Sequence, residues 1–288
     1  MIGYIQAFLY ILSIALSSLW VDQLGEIYNA WCLLLGVSIV ATLVFNLMSL
    51  KSFMKNHKLI FKDFRLWFLL SLTMAACWYL TYEATIISSP RVLLSILFTS
   101  AAGFASIATK NYFKFMLCII AILFIYLVTP ESNYISLIES LLAGLSFFLY
   151  FRYSTRYADK HNLKTLDILS VRFYLLILIS LVFTLYYEFH TVYSESISLK
   201  NLLIALAIIL LLGIVNMVIP NFFSQSSSLR LGAEKFSLFT SLTPVITFLL
   251  QGIFYTDWNL LIFFACLFVS ITLNYNLIAK KLKRSPTK

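Results

Sequence analysis

The sequence predicts an all-α integral membrane protein, and composition, hydropathy and the length of its apolar runs together predict it. Of the 288 residues, 61% are hydrophobic and only 11% are charged, whereas a soluble domain carries about 25% charged residues. The mean hydropathy is +0.92. Apolar runs of about 17 to 25 residues recur along the whole chain and fit helices that cross a hydrocarbon core about 30 Å thick. The entire chain is therefore expected to lie in the membrane.

The apolar runs divide into ten predicted spans, each long enough to cross the bilayer as a helix. In chain order they are Gly3–Val21, Ala30–Leu50, Phe64–Ser88, Arg91–Thr109, Phe113–Thr129, Tyr134–Tyr153, Leu166–Tyr187, Asn201–Ser224, Phe236–Tyr255 and Leu260–Ala279.

The basic residues predict the orientation of these spans. With the N-terminus inside, only Arg91 and Lys200 face outward and Arg172 lies within a span, so every other Lys and Arg falls in an inner loop or the tail. Cytoplasmic loops carry such an excess of basic residues. The expected location is a bacterial inner (plasma) membrane with both termini cytoplasmic.

The two halves of the chain resemble each other weakly. Glu26 precedes Trp31 by the same step as Asp167 precedes Arg172, and the small residues from Thr99 align with the segment ending at Pro244. Residues 1–130 and 131–288 would each hold five spans. Because five is odd, the second copy would be inverted in the membrane relative to the first. A substrate site is then expected near the midplane, where the two halves meet. The second half would end in a basic cytoplasmic tail.

Two of the spans are interrupted by polar or helix-breaking residues. These are Asn216, Pro220 and Asn221 in the eighth span, and Ser241, Thr243 and Pro244 in the ninth. In lipid, each freed backbone group needs a partner within the protein or water in a cavity, so such interruptions indicate a binding site. The alternative is that they only kink the helices and join them by hydrogen bonds.

Three ionisable residues within spans are candidates for charge recognition or gating. Glu83 and Glu139 lie in the outer thirds of their spans, and Arg172 lies in the inner third of the seventh. A charge at the bilayer centre costs about 3 kcal/mol or more, so such groups usually face the bundle interior. The alternatives are that the two carboxylates are solvated near the headgroups and that Arg172 extends to the inner surface.

Aromatic and small polar residues complete the candidate site. Trp78, Tyr79 and Tyr82 lie on one arc with Glu83, and an aromatic wall beside a carboxylate suits a cationic or amphipathic molecule. The alternative is a belt of aromatic side chains at the membrane interface. The predicted substrate-binding residues are Trp78, Tyr82, Glu83, Ser95, Thr99, Arg172, Asn216, Asn221 and Ser241, with Glu139, Pro220 and Pro244 as structural or gating residues.

The sequence argues against several classes of function. It contains no catalytic motif, no phosphate-binding loop and no cofactor fingerprint, so neither an enzyme nor a cofactor is expected. The four cysteines lie inside apolar runs and the three histidines lie far apart, so no metal site is expected. The net charge of +9 comes from loop clusters that set orientation and does not indicate nucleic acid.

Two segments resemble the drug/metabolite transporter superfamily, in particular its ten-helix EamA-type members. LDILSVRFYLLILISLVF resembles a family motif whose Arg corresponds to Arg172. SLRLGAEKFSLFTSLTPVITFLLQGIFYTD resembles a family segment whose Pro corresponds to Pro244, with Asp257 where Glu is usual. The chain departs from the pattern at Trp31 and Ala101, where the first repeat has Arg and Pro. The resemblance implies a basket-like bundle around a central cavity and transport by alternating access.

The predicted function is secondary transport of a small organic solute, such as an amino acid, a nucleoside or an S-adenosylmethionine-like metabolite. A proton carried by Glu83 would be the coupling ion, whereas a facilitator would need none. Two alternatives stay open: a flippase for a lipid or lipid-linked sugar on the same fold, and a membrane-embedded binding or sensor protein that transports nothing. The expected partners are therefore the solute and the lipid bilayer.

Overall fold

A computed structural model describes residues 2–129, 133–190, 199–231, 236 and 239–276, and every regular element in these ranges is helical. The first seven helices are α1 (Ile2–Gly25), α2 (Ala30–Met48), α3 (Phe53–Lys62), α4 (Phe64–Ile87), α5 (Pro90–Ala108), α6 (Tyr112–Val128) and α7 (Tyr134–His161). A short 3-10 turn, Leu50–Ser52, links α2 to α3. The predicted basic tail and the end of the tenth span lie outside the described residues.

The remaining helices are less regular. They are α8 (Thr165–Leu169), α9 (Tyr174–His190), α10 (Leu199–Leu212), α11 (Ile219–Leu231), α12 (Thr243–Tyr255) and α13 (Leu260–Leu273). A π-helical turn, Gly213–Val218, joins α10 to α11. Residues 170–173 between α8 and α9 are not helical, so the predicted seventh span is broken. The predicted ninth span is helical from Thr243 onward, while parts of its first half lie outside the described residues.

Seven helices in the described part of the chain are long and apolar enough to cross a membrane. One of them runs through the π-helical turn and another through the break at residues 170–173. Three shorter apolar helices, α6, α12 and α13, overlap the predicted fifth, ninth and tenth spans. The protein thus has the helical character of a multi-pass membrane protein, and the full count of ten spans stays a prediction.

The central packing contact is between α7 and its neighbours α4 and α5. Gly144 of α7 allows this approach, because a Cβ atom placed there would lie 2.6 Å from the carbonyl oxygen of Leu97 and 3.0 Å from the amide nitrogen of Ala101. Small residues let helix backbones approach closely in membranes. Since α7 also packs against α4, this close approach brings α4, α5 and α7 together around one space.

Further contacts join the first half of the chain to the second. Helix α1 packs against α11 and α12, and α2 packs against α9 and the π-helical turn. At one end of the bundle, buried Arg91 at the start of α5 forms an ion pair with Asp257 in the loop after α12. At the other end, Asp63 contacts Lys160 and His161 of α7. The division of the chain into residues 1–130 and 131–288 stays a prediction, and residues 130–132 lie outside the described ranges.

Candidate functional site

The break between α8 and α9 lies within the candidate span Thr165–Tyr187, and side chains from other helices donate hydrogen bonds to two of its backbone carbonyls. Asn46 of α2 donates to the carbonyl oxygen of Ser170 at 3.1 Å. The indole nitrogen of Trp67 in α4 donates to the carbonyl oxygen of Val171 at 2.9 Å. Non-helical backbone is tolerated in a membrane only where such partners or a cavity exist. The two side chains therefore stabilise an open turn that would otherwise be costly.

Arg172 lies within this break and is 1% exposed. Its guanidinium donates hydrogen bonds to the hydroxyl of Tyr150 in α7 and to the side-chain oxygen of Asn221 in α11. It also lies 4.8 Å from the ring centroid of Phe173 and 5.3 Å from that of Tyr150. The side chain therefore points into the bundle and does not extend to the surface, which was the alternative considered from the sequence.

The π-helical turn ends at Val218, two residues before Pro220. Proline lacks an N–H group and its ring clashes with the carbonyl four residues earlier in an α-helix, and a π-turn is one way of accommodating such a defect. Within the turn, Asn216 accepts a 2.7 Å hydrogen bond from the hydroxyl of Tyr82 in α4. The side-chain nitrogen of Asn221 donates to the carbonyl oxygen of Met217 at 2.6 Å. The interruption predicted from Asn216 and Pro220 thus takes the form of a widened helical turn.

A cavity of about 70 Å³ lies between α1, α4, α5, α7 and α11. Its lining residues on α1, α4, α5 and α7 lie close to the middle of each helix. Its lining is largely aromatic and apolar. The lining aromatic residues are Tyr10, Trp78, Phe98, Phe147, Tyr150 and Phe151. Polar atoms come from Thr81, Asn221 and Ser224 as well as from the tyrosines. Mostly apolar walls with a few convergent polar groups are typical of small-molecule sites.

A wider, open groove lies at one end of the bundle, between the end of α2, the 3-10 turn and the segment Leu163–Asp167. It has a volume of about 750 Å³, and Phe222 contributes to its wall. The preceding residue, Asn221, lines the central cavity. The segment Asn221–Phe222, which Arg172 contacts through Asn221, therefore belongs to the walls of both spaces.

Six of the predicted site residues lie at or beside the cavity. Trp78, Pro220 and Asn221 line it. Arg172 contacts two of its lining residues, Tyr150 and Asn221. Tyr82 and Asn216 bond to each other, and the ring of Tyr82 lies 6.1 Å from that of Trp78. The structure therefore brings the eighth-span residues and the third-span aromatic residues together, while their role in binding stays a prediction.

The other predicted residues lie away from the cavity lining. Ser95 is buried and bonds to the carbonyl oxygen of Arg91, and Thr99 bonds to that of Ser95. Ser241 accepts a hydrogen bond from Asn274. Pro244 is buried in the first turn of α12.

Glu83 and Glu139 form a separate cluster on α4 and α7. Glu83 accepts a hydrogen bond from Tyr79 and lies within electrostatic range of Glu139. The ring of Tyr79 stacks on that of Trp31 at 3.9 Å between centroids. Neither carboxylate is among the cavity-lining residues that the structure describes. The sequence suggested one site in which aromatic residues lie beside a carboxylate. In the structure, Trp78 lines the cavity, whereas Tyr79 and Glu83 lie in the separate cluster.

Tyr10, Thr81, Tyr150 and Ser224 line the cavity and were not singled out from the sequence. Of these, Tyr150 also accepts a hydrogen bond from Arg172. It lies in a predicted span rich in aromatic residues, and nothing in that pattern distinguishes it from Phe147 or Phe151. Ser224 had a weak signal, since it lies one helical turn after the already suspected Pro220.

Comparison with known proteins supports the fold alone. No family model matches the chain, and no curated protein matches it. The chain is similar to a solved structure described as "Crystal structure of protein", with a TM-score of 0.64 at 12% sequence identity over 98% of this chain and 98% of that chain. The similarity therefore covers the whole bundle, and at this identity it indicates a shared fold without a shared activity.

Proposed function

We propose that the protein is a secondary transporter of a small organic solute that binds in the central cavity. The observation that carries the proposal is that two interrupted helical segments border one cavity. Pro220 and Asn221, which follow the π-helical turn, line the cavity, and Arg172 in the other break contacts Asn221. Interrupted membrane helices are typical of substrate sites in transporters. The mixed aromatic and polar lining supports the same conclusion.

Binding would require the helices to separate. Ligand sites for small molecules measure about 300 to 1,000 Å³, and the cavity has only about 70 Å³. The open groove beyond Phe222 has about 750 Å³ and offers the route of entry. In this account, displacement of Asn221 and Phe222 joins the groove to the cavity, and the ion pair between Arg91 and Asp257 keeps the opposite end closed.

The finer architecture belongs to the same proposal. We infer ten spans in two inverted halves, cytoplasmic termini, a bacterial inner membrane and membership of the drug/metabolite transporter superfamily, supported by the distribution of Lys and Arg and by the quoted motifs. Reporter fusions after residue 288 and within residues 130–132 would test the orientation. An outward reporter at the C-terminus would contradict it.

Solute binding can be tested by the thermal stability of the purified protein against amino acids, nucleosides, S-adenosylmethionine, polyamines and vitamins. A ligand at 100 times its Kd should stabilise the fold by about 2.7 kcal/mol. Ser224→Trp would fill the cavity and should abolish the stabilisation. The matched control is Leu211→Trp, because Leu211 lies on a helix surface and is 53% exposed. This variant should keep the stabilisation by the ligand. A silent panel with folded protein would contradict a small solute and favour the flippase or the non-transporting protein.

A further inference from the structure

Arg172 is a buried cation without a counter-ion among the residues that the structure describes. Its two hydrogen-bond partners, Tyr150 and Asn221, are neutral. The described ion pairs are those of Arg91 with Asp257 and of Asp63 with Lys160 and His161, and Arg172 takes part in none. A buried charge normally has an opposite charge beside it or coordinates one. Arg172 therefore lacks the acidic partner that would make it part of an ion pair within the described residues.

A purely structural role explains this arrangement poorly. An apolar side chain of similar volume is often as stabilising as a buried ion pair, and an unpaired buried charge is worse than either. The rings of Phe173 and Tyr150 offset part of the cost through cation–π contacts, which contribute about 2 kcal/mol when desolvated. They leave the net positive charge in place, so a function that needs this charge is the better explanation.

The guanidinium also has unused donor capacity. Arginine carries five N–H donors in a planar fork that matches the two oxygens of a carboxylate or phosphate. Two donors meet Tyr150 and Asn221, while Nε is buried without an acceptor in the described structure. A ligand oxyanion could therefore gain a further donor while the existing contacts rearrange.

The cavity is where such an oxyanion would meet Arg172. Both neutral partners of the guanidinium line the cavity, so a displacement of the side chain of Asn221 would expose the positive charge to a bound solute. No Asp or Glu belongs to the described cavity lining, and Glu83, which the sequence suggested as part of the site, contacts Tyr79 instead. The electrostatic balance of the cavity thus favours an anionic group over a cationic one.

We propose that the transported solute carries an oxyanion, a carboxylate or a phosphate, which Arg172 binds in place of Asn221, while the aromatic lining receives an apolar part of the same molecule. This rests on the proposed transport function and narrows its substrate class. Free amino compounds without an anionic group, such as polyamines, are then poor substrates.

The test compares charged solutes with neutral analogues of the same shape, using wild-type protein. Phenylacetate is paired with phenylacetamide, indole-3-acetate with indole-3-acetamide, and phenyl phosphate with phenol, and each Kd is read from thermal stability. We expect the anion of at least one pair to bind about tenfold or more tightly than its neutral analogue, since charge-assisted bidentate bonds are the strong ones. The carboxylate and phosphate pairs show which oxyanion is preferred.

Two variants connect the preference to Arg172. Arg172→Met removes the charge at similar length and should reduce the ratio of the two Kd values to about one. Asn221→Asp places a carboxylate against the guanidinium and should weaken anion binding in the same way while retaining an acceptor for Arg172, so it remains informative if Arg172→Met does not fold. Retention of the anion preference in either folded variant would overturn the proposal.

The failure of this inference can be told apart from the failure of the proposed function. If neutral or cationic solutes from the wider panel bind and the anions do not, the protein is a transporter candidate and the role given to Arg172 is wrong. If no solute binds to folded protein, both proposals fail.

Discussion

The hydroxyl of Tyr82 in α4 donates a 2.7 Å hydrogen bond to the side-chain oxygen of Asn216 in the π-helical turn. Tyr82 is 1% exposed and Asn216 is 3% exposed, so neither group can turn to water. The bond joins a regular helix from the first half of the chain to the irregular segment of the second. It therefore fixes one side of the candidate site.

Tyr82→Phe should destabilise the protein by about 1 kcal/mol, because it leaves the side-chain oxygen of Asn216 buried without a donor. Thermal unfolding in detergent measures the effect. Tyr134→Phe is the matched control, since Tyr134 is 67% exposed, and it should leave the stability unchanged. Equal stability of both variants would show that the bond contributes nothing.

Trp67→Phe should destabilise the break between α8 and α9. The substitution keeps an aromatic ring but removes the 2.9 Å hydrogen bond to the carbonyl oxygen of Val171. An unsatisfied buried acceptor costs about 1–3 kcal/mol. Trp20→Phe, at a position 36% exposed, is the control for general loss of an indole. A similar small loss in both variants would mean that the carbonyl finds another partner.

Two glycine substitutions should have opposite effects. Gly144→Ala places a Cβ atom 2.6 Å from a backbone oxygen of α5, so the helices must separate at a cost of about 1–3 kcal/mol. At Gly103 the nearest side-chain atom would lie at 3.5 Å, and alanine there should stabilise α5 by about 0.5–1 kcal/mol. Thermal unfolding of the two variants distinguishes the signs, and a loss at Gly103 as large as that at Gly144 would contradict the packing described.

The contact between Asp63 and Lys160 predicts a pH dependence of stability. The hydrogen bond from Lys160, at 2.6 Å, lowers the pKa of Asp63 below its ordinary value of 3.8, against the opposing effect of burial and with help from His161. Since the folded pKa is the lower one, the carboxylate stabilises the fold above about pH 3.8, and the contribution is lost as the pH falls through the folded pKa.

Asp63→Asn should therefore be less stable than the wild type at neutral pH, and the two melting temperatures should converge as the pH falls below about 3.8. Lys160→Met removes the donor that lowers the pKa of Asp63, so it should also reduce the pH dependence of stability. Parallel melting curves for wild type and Asp63→Asn across this range would rule out the contribution.

The sequence predicted the all-helical character because apolar runs of this length favour membrane-spanning helices, and seven described helices are long and apolar enough to span a membrane. Four predicted starts, Ala30, Phe64, Tyr134 and Leu260, coincide with observed helix starts. The interruption at Asn216 and Pro220 was also predictable, since proline and asparagine carry a local signal. The break at Arg172 was not, because no Gly or Pro lies between residues 166 and 190 and its stability comes from Asn46 and Trp67, which are distant in sequence.

The candidate site was only partly predictable for a related reason. Helical spacing indicates which residues share a face, but it does not identify the helix that each face meets. Trp78 faces the cavity, Tyr82 meets Asn216, and Glu83 lies beside Tyr79, although the three are close in sequence. Tyr150 gave no signal because its importance depends on contact with Arg172.

The central claim is that a solute crosses the membrane through the central cavity, and flux into proteoliposomes tests it most directly. Vesicles with wild-type protein, Ser224→Trp or Leu211→Trp would be incubated with a metabolite mixture that includes the paired anions and neutral analogues, and their contents analysed by mass spectrometry. We predict accumulation of a chemically coherent set of solutes with wild type and Leu211→Trp, and none with Ser224→Trp. Equal accumulation with the cavity-filled variant, or none with folded wild-type protein, would contradict the account.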